Sequence, residues 1–122
     1  MSWKEVNVLL NPGLWLKEFP GAITVCDSKG IILEMNDVSC KMFEKDGGKE
    51  LVGKNLLDCH PEDARKKLES MMEARRLNCY TIEKNGVNKL LYQTPWYKNG
   101  EYMGFAELSL EIPTEMPHFI RK

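Results

Sequence analysis

The sequence predicts an α+β domain, a five-stranded antiparallel sheet with helices on one face. Three observations predict it. Two β-rich runs, GAITVCD and IILEM, flank the turn Asp27-Ser28-Lys29-Gly30. A charged amphipathic stretch, PEDARKKLESMMEARRL, occupies the middle of the chain. Three more β-rich runs close it, separated by Asn85-Gly86 and by Lys98-Asn99-Gly100.

The bulk numbers fit one such domain. The chain has 122 residues, 43% of them hydrophobic and 29% charged, enough for one core but not two. A formal net charge of −1, with both signs scattered, supplies no field for nucleic acid or an acidic membrane, so neither is expected as a partner. The apolar runs are far shorter than the roughly 20 residues that span a bilayer. MSWKEVNVLL has no apolar core followed by a small-residue cleavage site, so it does not read as a secretory signal. The four cysteines, Cys26, Cys40, Cys59 and Cys79, form no CxxC pair. An even count permits two disulfides, but without a signal peptide the preferred reading is reduced thiols in a cytoplasmic protein.

The elements follow in order. The first twenty residues carry Trp3, Val6, Leu9, Leu10, Leu14, Trp15 and Phe19 at loosely helical spacing, broken by Pro12-Gly13. After the hairpin, residues 36–43 read as a helix whose apolar contacts are Val38, Met42 and Phe43, and EKDGGKE reads as a loop. The amphipathic helix buries Ala64, Leu68, Met71 and Met72, spaced i, i+4, i+7 and i+8, and ends with Arg75 and Arg76 in its last turn. NCYTIEK, KLLYQTPWY and EYMGFAELSLEI make an antiparallel meander. In the last strand Tyr102, Gly104, Ala106, Leu108, Leu110 and Ile112 alternate with Met103, Phe105, Glu107, Ser109 and Glu111. Pro95 should end pairing in the strand before it, or force a bulge. The chain thus divides into an N-terminal helical cap and dimerisation segment (1–20), the domain proper (21–112) and a C-terminal tail (113–122).

NLLDCHPED, residues 55–63, is the stretch richest in reactive groups. A thiol nucleophile at Cys59 would need a lowered pKa and a base facing the sulfur, and sequence neighbours seldom face each other. Pro61 with Glu62 and Asp63 fits a helix start instead, since proline suits the first position and carboxylates oppose the positive end of the dipole. His60 and His118 are the only histidines, and no Cys/His pair shows zinc spacing, so no metal is expected.

Three stretches together resemble the PAS domain family over residues 14–112. LWLKEFPGAITVCDSKGIILEMND resembles its opening helix and hairpin, and ELVGKNLLDCHPEDA resembles the stretch leading into its long helix. YKNGEYMGFAELSLEI resembles its final hairpin, with Glu111-Ile112-Pro113 where the family typically has an Asp-Ile-Thr-like signal. The resemblance implies a sensory or interaction module with a pocket between sheet and helices, acting through a homodimer or a signalling protein partner. Haem in the family is commonly held by a histidine on the long helix, and residues 62–77 contain none. The flavin photoreceptor motif Asn-Cys-Arg-Phe-Leu-Gln is absent from NLLDCHPED. A small apolar metabolite, or no ligand, is the expectation that remains.

Sheet alternation then names a pocket. Thr24 and Cys26 face it from the first strand, Leu91 and Gln93 from the fourth, and Gly104, Ala106 and Leu108 from the fifth. Met42, Phe43, Leu56, Leu68, Met71 and Met72 add the helical wall, and Gln93 is the polar group placed to orient a ligand. The opposite face holds Ile23, Val25, Leu90, Tyr92, Trp96, Met103 and Phe105, too apolar to stand bare. Trp3, Leu9, Leu10, Leu14 and Trp15 are expected to cover it in a homodimer. The alternative is a small α+β enzyme using Cys59 and His60, against a module that only binds and signals.

Overall fold

A computed structural model describes residues 2–10 and 13–122, with the side chains of residues 7–10 left aside. Helices α1 (Trp3–Leu10) and α2 (Leu14–Lys17) precede the hairpin β1 (Ala22–Asp27) and β2 (Ile32–Met35). Helix α3 (Asp37–Met42) follows, then short 3-10 turns at Glu44–Asp46, Gly48–Leu51 and Leu56–Cys59, and helix α4 (Glu62–Ala74). The meander β3 (Asn78–Lys84), β4 (Val87–Lys98) and β5 (Glu101–Ile112) completes the domain. The sheet order is β2-β1-β5-β4-β3, with every neighbouring pair antiparallel. The helical segment therefore carries the chain from one sheet edge to the other, and β5 returns to lie beside β1.

Turn chemistry sets these reversals. Asp27 Oδ1 accepts from the amides of Lys29 and Ile31, each at 2.9 Å, while Gly30 N donates to Asp27 O at 3.0 Å. Asn85-Gly86 and Asn99-Gly100 both hold paired positive φ angles, 53° and 78°, then 51° and 81°, as two-residue hairpin turns require. Along β2 the segment 53–56 runs as a cover. Ile32 N donates to Lys54 O, Gly53 N to Ile32 O and Leu56 N to Gly30 O, which shields an edge that would otherwise expose its hydrogen-bonding groups.

The register sorts side chains into two faces. Toward the helices lie three cross-strand rows: Ala22, Ser109, Leu91 and Tyr80; Thr24, Glu107, Gln93 and Asn78; and Cys26, Phe105 and Pro95. The outer face holds Ile23, Leu108, Tyr92 and Cys79, with Val25, Ala106 and Thr94 beside them. This corrects the expected phase of β5. Tyr97 pairs with Tyr102, yet Trp96 pairs with Gly104, so β5 carries one extra residue there. Such a bulge shifts every later side chain to the other face. Ala106 and Leu108 thus leave the helix side, while Phe105, expected outside, is 5% exposed against Cys26 and Met72.

Smaller corrections in α3 and α4 have equally local causes. Val38 and Met42 are exposed on α3, whose buried residue is Ser39 at 0%. Ser39 can be buried because its hydroxyl lies 2.5 Å from Thr24 Oγ1. On α4 Leu68, Met71 and Met72 face inward, but Ala64 is exposed, and Pro61 precedes the helix as its N-cap. Helix α4 stops at Ala74, with Arg75 left-handed at φ 52°, so Arg75 and Arg76 lie beyond the last turn. At Pro95, pairing ends on the β3 side and continues opposite Phe105 on the β5 side, with the bulge one residue on, between Trp96 and Tyr97. Pairing with β3 reaches only to Gln93, so β4 is an edge strand at Pro95 and no ladder bond is missed.

Candidate functional site

Between the inner sheet face and the helices lies a cavity of about 250 Å³. Its floor is Thr24, Cys26, Gln93, Phe105 and Glu107, and β2 adds Ile32 and Met35. Phe43, Leu51, Leu56, Leu68, Met71 and Met72 wall it, and the exposed Asp46, Cys59 and His60 stand at its rim. The volume is near the lower end of small-molecule sites, about 300–1,000 Å³, and the mix of apolar wall with few polar groups is typical of them. The methionines give the wall room to adapt.

The floor carries an ordered polar row. Asn78 Nδ2 donates to Gln93 Oε1 at 2.7 Å, and Gln93 Nε2 donates to Glu107 Oε2 at 2.7 Å. These three residues are cross-strand partners, so sheet register alone aligns the relay, and Thr24 extends it opposite Glu107. Deeper in the fold, burial pushes the Cys26 thiol above its ordinary pKa, which the neighbouring Asp27 charge reinforces and a backbone hydrogen bond at Phe105 opposes. Tyr102 seals that end: its hydroxyl donates to Met72 O at 3.4 Å, and the Arg75 guanidinium sits 4.3 Å from its ring centroid.

Of the residues named from sequence for the pocket, Thr24, Cys26, Phe43, Leu56, Leu68, Met71, Met72, Gln93 and Ala106 border the cavity. Ala106 does so although its pairing places its Cβ on the outer face. Met42, Leu91, Gly104 and Leu108 do not border it. Met42 points to solvent, Leu91 is buried one row away, and the bulge moves Gly104 and Leu108 out of phase. The same bulge brings in Phe105 and Glu107, which alternation had assigned elsewhere. A glycine inside a β-rich run was the signal available for it. Ile32 and Met35 were also missed, because they lie three residues apart on the short strand β2 and do not follow a two-residue alternation, and Leu51 and Asp46 because the segment between α3 and α4 carries no period to read.

Cys59 and His60 reach the cavity rim without facing each other. Cys59 Sγ lies 3.9 Å from Asn55 O, and His60 Nδ1 is 2.7 Å from Leu56 O. Among the described residues no group of three or more His, Cys, Asp or Glu is arranged to hold a metal ion. No helix of the described residues is long and apolar enough to cross a membrane.

On the outer face Val25, Leu90, Leu108 and Leu110 are half-buried and Tyr92 is exposed, with Trp96 and Met103 beside them. Ile23, on the same face, is buried at 8%. Trp3, Leu14 and Trp15 are exposed on the N-terminal helices. The side chains of Leu9 and Leu10, expected to join that cap, lie outside the described residues.

Comparison with known proteins places this geometry. A family model described as the PAS fold matches residues 15–80, more than half of the chain. None of the curated proteins compared by sequence matches. Among solved structures, the PAS domain of an HTR-like protein from Haloarcula marismortui is 14% identical with TM-score 0.60, covering 89% of this chain and 95% of that one. The PAS domain of BvgS from Bordetella pertussis is 19% identical with TM-score 0.59, covering 88% of each chain. The Aer2 receptor from Vibrio cholerae, described as a dual PAS-heme oxygen sensor, is 20% identical with TM-score 0.53, covering 76% of this chain and 95% of that one. At these identities the likeness is one of fold.

Proposed function

Because the chain belongs to the PAS fold family, we propose that it is a sensory module that holds a small molecule in its cavity and signals through contacts on its outer sheet face. The observation that carries this reading is the cavity itself, apolar on its walls and bearing the aligned polar row of Gln93 and Glu107 on its floor. A simple packed core has no use for such a row, since a buried polar group costs free energy that an apolar one does not. The small volume favours a compact metabolite over a macrocyclic cofactor, although Aer2 is itself described as a PAS-heme sensor.

The outer face supports the second half of the proposal. Val25, Leu90, Tyr92, Leu108 and Leu110 form a contiguous apolar patch across adjacent strands, of the kind that proteins use as interfaces. A homodimer through this face, with Trp3, Leu14 and Trp15 packing beside it, would cover it and couple it to the cavity across one sheet thickness. A signalling protein docking on the same patch is the other form of output. The chain then acts by binding, in the cytoplasm, and Cys59 with His60 takes no catalytic part.

Native mass spectrometry of the purified chain, with an absorbance scan, tests both halves. The expected result is a dimer mass with a non-covalent small-molecule adduct that denaturation releases, and no haem or flavin band. A monomer mass at micromolar concentration would remove the dimer from the proposal. A mass equal to the bare chain after expression in several hosts and media would count against a resident ligand.

A further inference from the structure

The polar atoms that line the cavity are unequal in kind. Asp46 at the rim and Glu107 on the floor are carboxylates, and no lysine or arginine lines the space. Gln93 spends its carbonyl oxygen on Asn78 and one amide hydrogen on Glu107. Thr24 and Ser39 hydrogen-bond each other. His60 Nδ1 lies 2.7 Å from the Leu56 carbonyl, which only accepts, so that nitrogen carries a proton already committed to the backbone. Glu107 Oε1 has no hydrogen-bond or ion-pair partner among the described residues. The cavity therefore presents carboxylates with no lysine or arginine to offset them, and one carboxylate oxygen, Glu107 Oε1, is open.

That imbalance discriminates between ligands of similar shape. An anion would meet like charge in a confined, partly desolvated space with little to donate to it. A neutral apolar molecule would strip water from Glu107 and return nothing to its open oxygen. A cation with N–H donors would satisfy that oxygen and neutralise the floor with a charge-assisted hydrogen bond. Tyr80, which ends the cross-strand row beside Glu107's, has its hydroxyl pKa raised first by burial and then by the Glu107 charge, so the field of that carboxylate reaches across the sheet.

Building on the sensory reading above, we propose that the cavity selects a small organic cation, a protonated amine on a compact apolar body, with Glu107 as its counter-ion. The apolar body packs against Met71, Met72 and Phe105, and the ammonium group lies over the floor. Gln93 acts as a positioning residue, since its bond to Oε2 holds the carboxylate with Oε1 turned to the ligand.

Three probes of one shape test this on the full chain: 2-phenylethylamine as its ammonium, 3-phenylpropionate, and 2-phenylethanol. Binding is followed by titration calorimetry, and the methyl resonances of Met71 and Met72 report occupancy of the cavity. The ammonium is expected to bind about tenfold or more tighter than the carboxylate. Glu107→Gln is expected to remove that preference. If the carboxylate or the alcohol binds as tightly as the ammonium to the wild-type chain, the cation proposal is overturned and the cavity stands as a ligand site of other chemistry. If no probe moves the Met71 and Met72 methyls, the ligand-binding reading falls and this proposal with it. The wild-type comparison decides the matter even if Glu107→Gln fails to fold.

Discussion

The indole Nε1 of Trp96 donates to the backbone carbonyl of Cys26 at 3.0 Å, reaching from β4 across β5 to β1. The bond joins strands that are not neighbours, and it lies where β5 carries its extra residue. Trp96→Phe keeps most of the ring and removes the donor. It should cost about 1 kcal/mol of folding stability, the usual net worth of one such bond. Urea unfolding followed by circular dichroism measures this, and an unchanged midpoint would show the bond to be incidental.

Gly104, which pairs with both Trp96 and Asp27, has no room for a side chain against β1. Gly104 has φ +149°, and a Cβ there would lie 2.6 Å from the Asp27 carbonyl carbon, 2.7 Å from its Cα, and in collision with the Cys26 carbonyl oxygen. Those are backbone atoms of the paired strand, so they cannot swing aside. Gly104→Ala should therefore cost about 3 kcal/mol or more, combining backbone strain with overpacking. A loss below 1 kcal/mol would mean that the bulge relaxes freely.

The same residue explains which parts of the molecule were legible in the sequence. Thr24, Cys26 and Gln93 were placed on the correct face because β1 and β4 keep strict alternation across the positions that matter. Phe105 and Glu107 were not, because one inserted residue inverts a period of two, and a glycine in the run signals such an insertion without fixing where it falls. Ser39 escaped for another reason. A serine reads as solvent-facing until its tertiary partner, Thr24, is known. The end of α4 was missed because Arg75 takes a left-handed conformation in which its guanidinium stacks over Tyr102, a contact made by the fold and invisible to helix-end statistics. Turns marked by Asn-Gly and Asp-x-x-Gly were legible, since backbone geometry itself demands those residues.

Asn36 ties helix α3 to the sheet. Its Oδ1 accepts from Ile23 N at 2.9 Å and Ser39 N at 3.0 Å, and its Nδ2 donates to Gly21 O at 2.7 Å. The residue is 5% exposed, so truncation leaves buried backbone groups without partners as well as an uncapped helix. Asn36→Ala should cost about 2–4 kcal/mol. Hydrogen exchange provides the sharper check: the Ile23 and Ser39 amides should lose protection first, ahead of the strand β5 amides. Uniform loss across the domain would indicate that Asn36 contributes to global stability without a local anchoring role.

Cys26 makes stability depend on alkaline pH. Its folded pKa is raised, chiefly by burial, above the ordinary thiol value of 9.0. A raised pKa means that the folded state holds the proton more tightly than the unfolded chain does. The contribution is fully present below pH 9.0 and is lost as pH rises through the folded value. Tyr80 and Tyr102 shift in the same direction from 10.0 and add to the decline, so the slope alone does not isolate the thiol. Cys26→Ala does isolate it: the variant should be less stable than wild type near neutrality, because Cys26 is packed against Met72 and Phe105, and the gap should narrow above pH 9.0. Denaturant midpoints taken from neutral pH to strongly alkaline pH for both proteins give that difference. A gap that stays constant would show that the buried thiol does not titrate with folding. Alkylation supplies a second readout, since the exposed Cys59 and Cys79 should react in the native protein while Cys26 waits for unfolding.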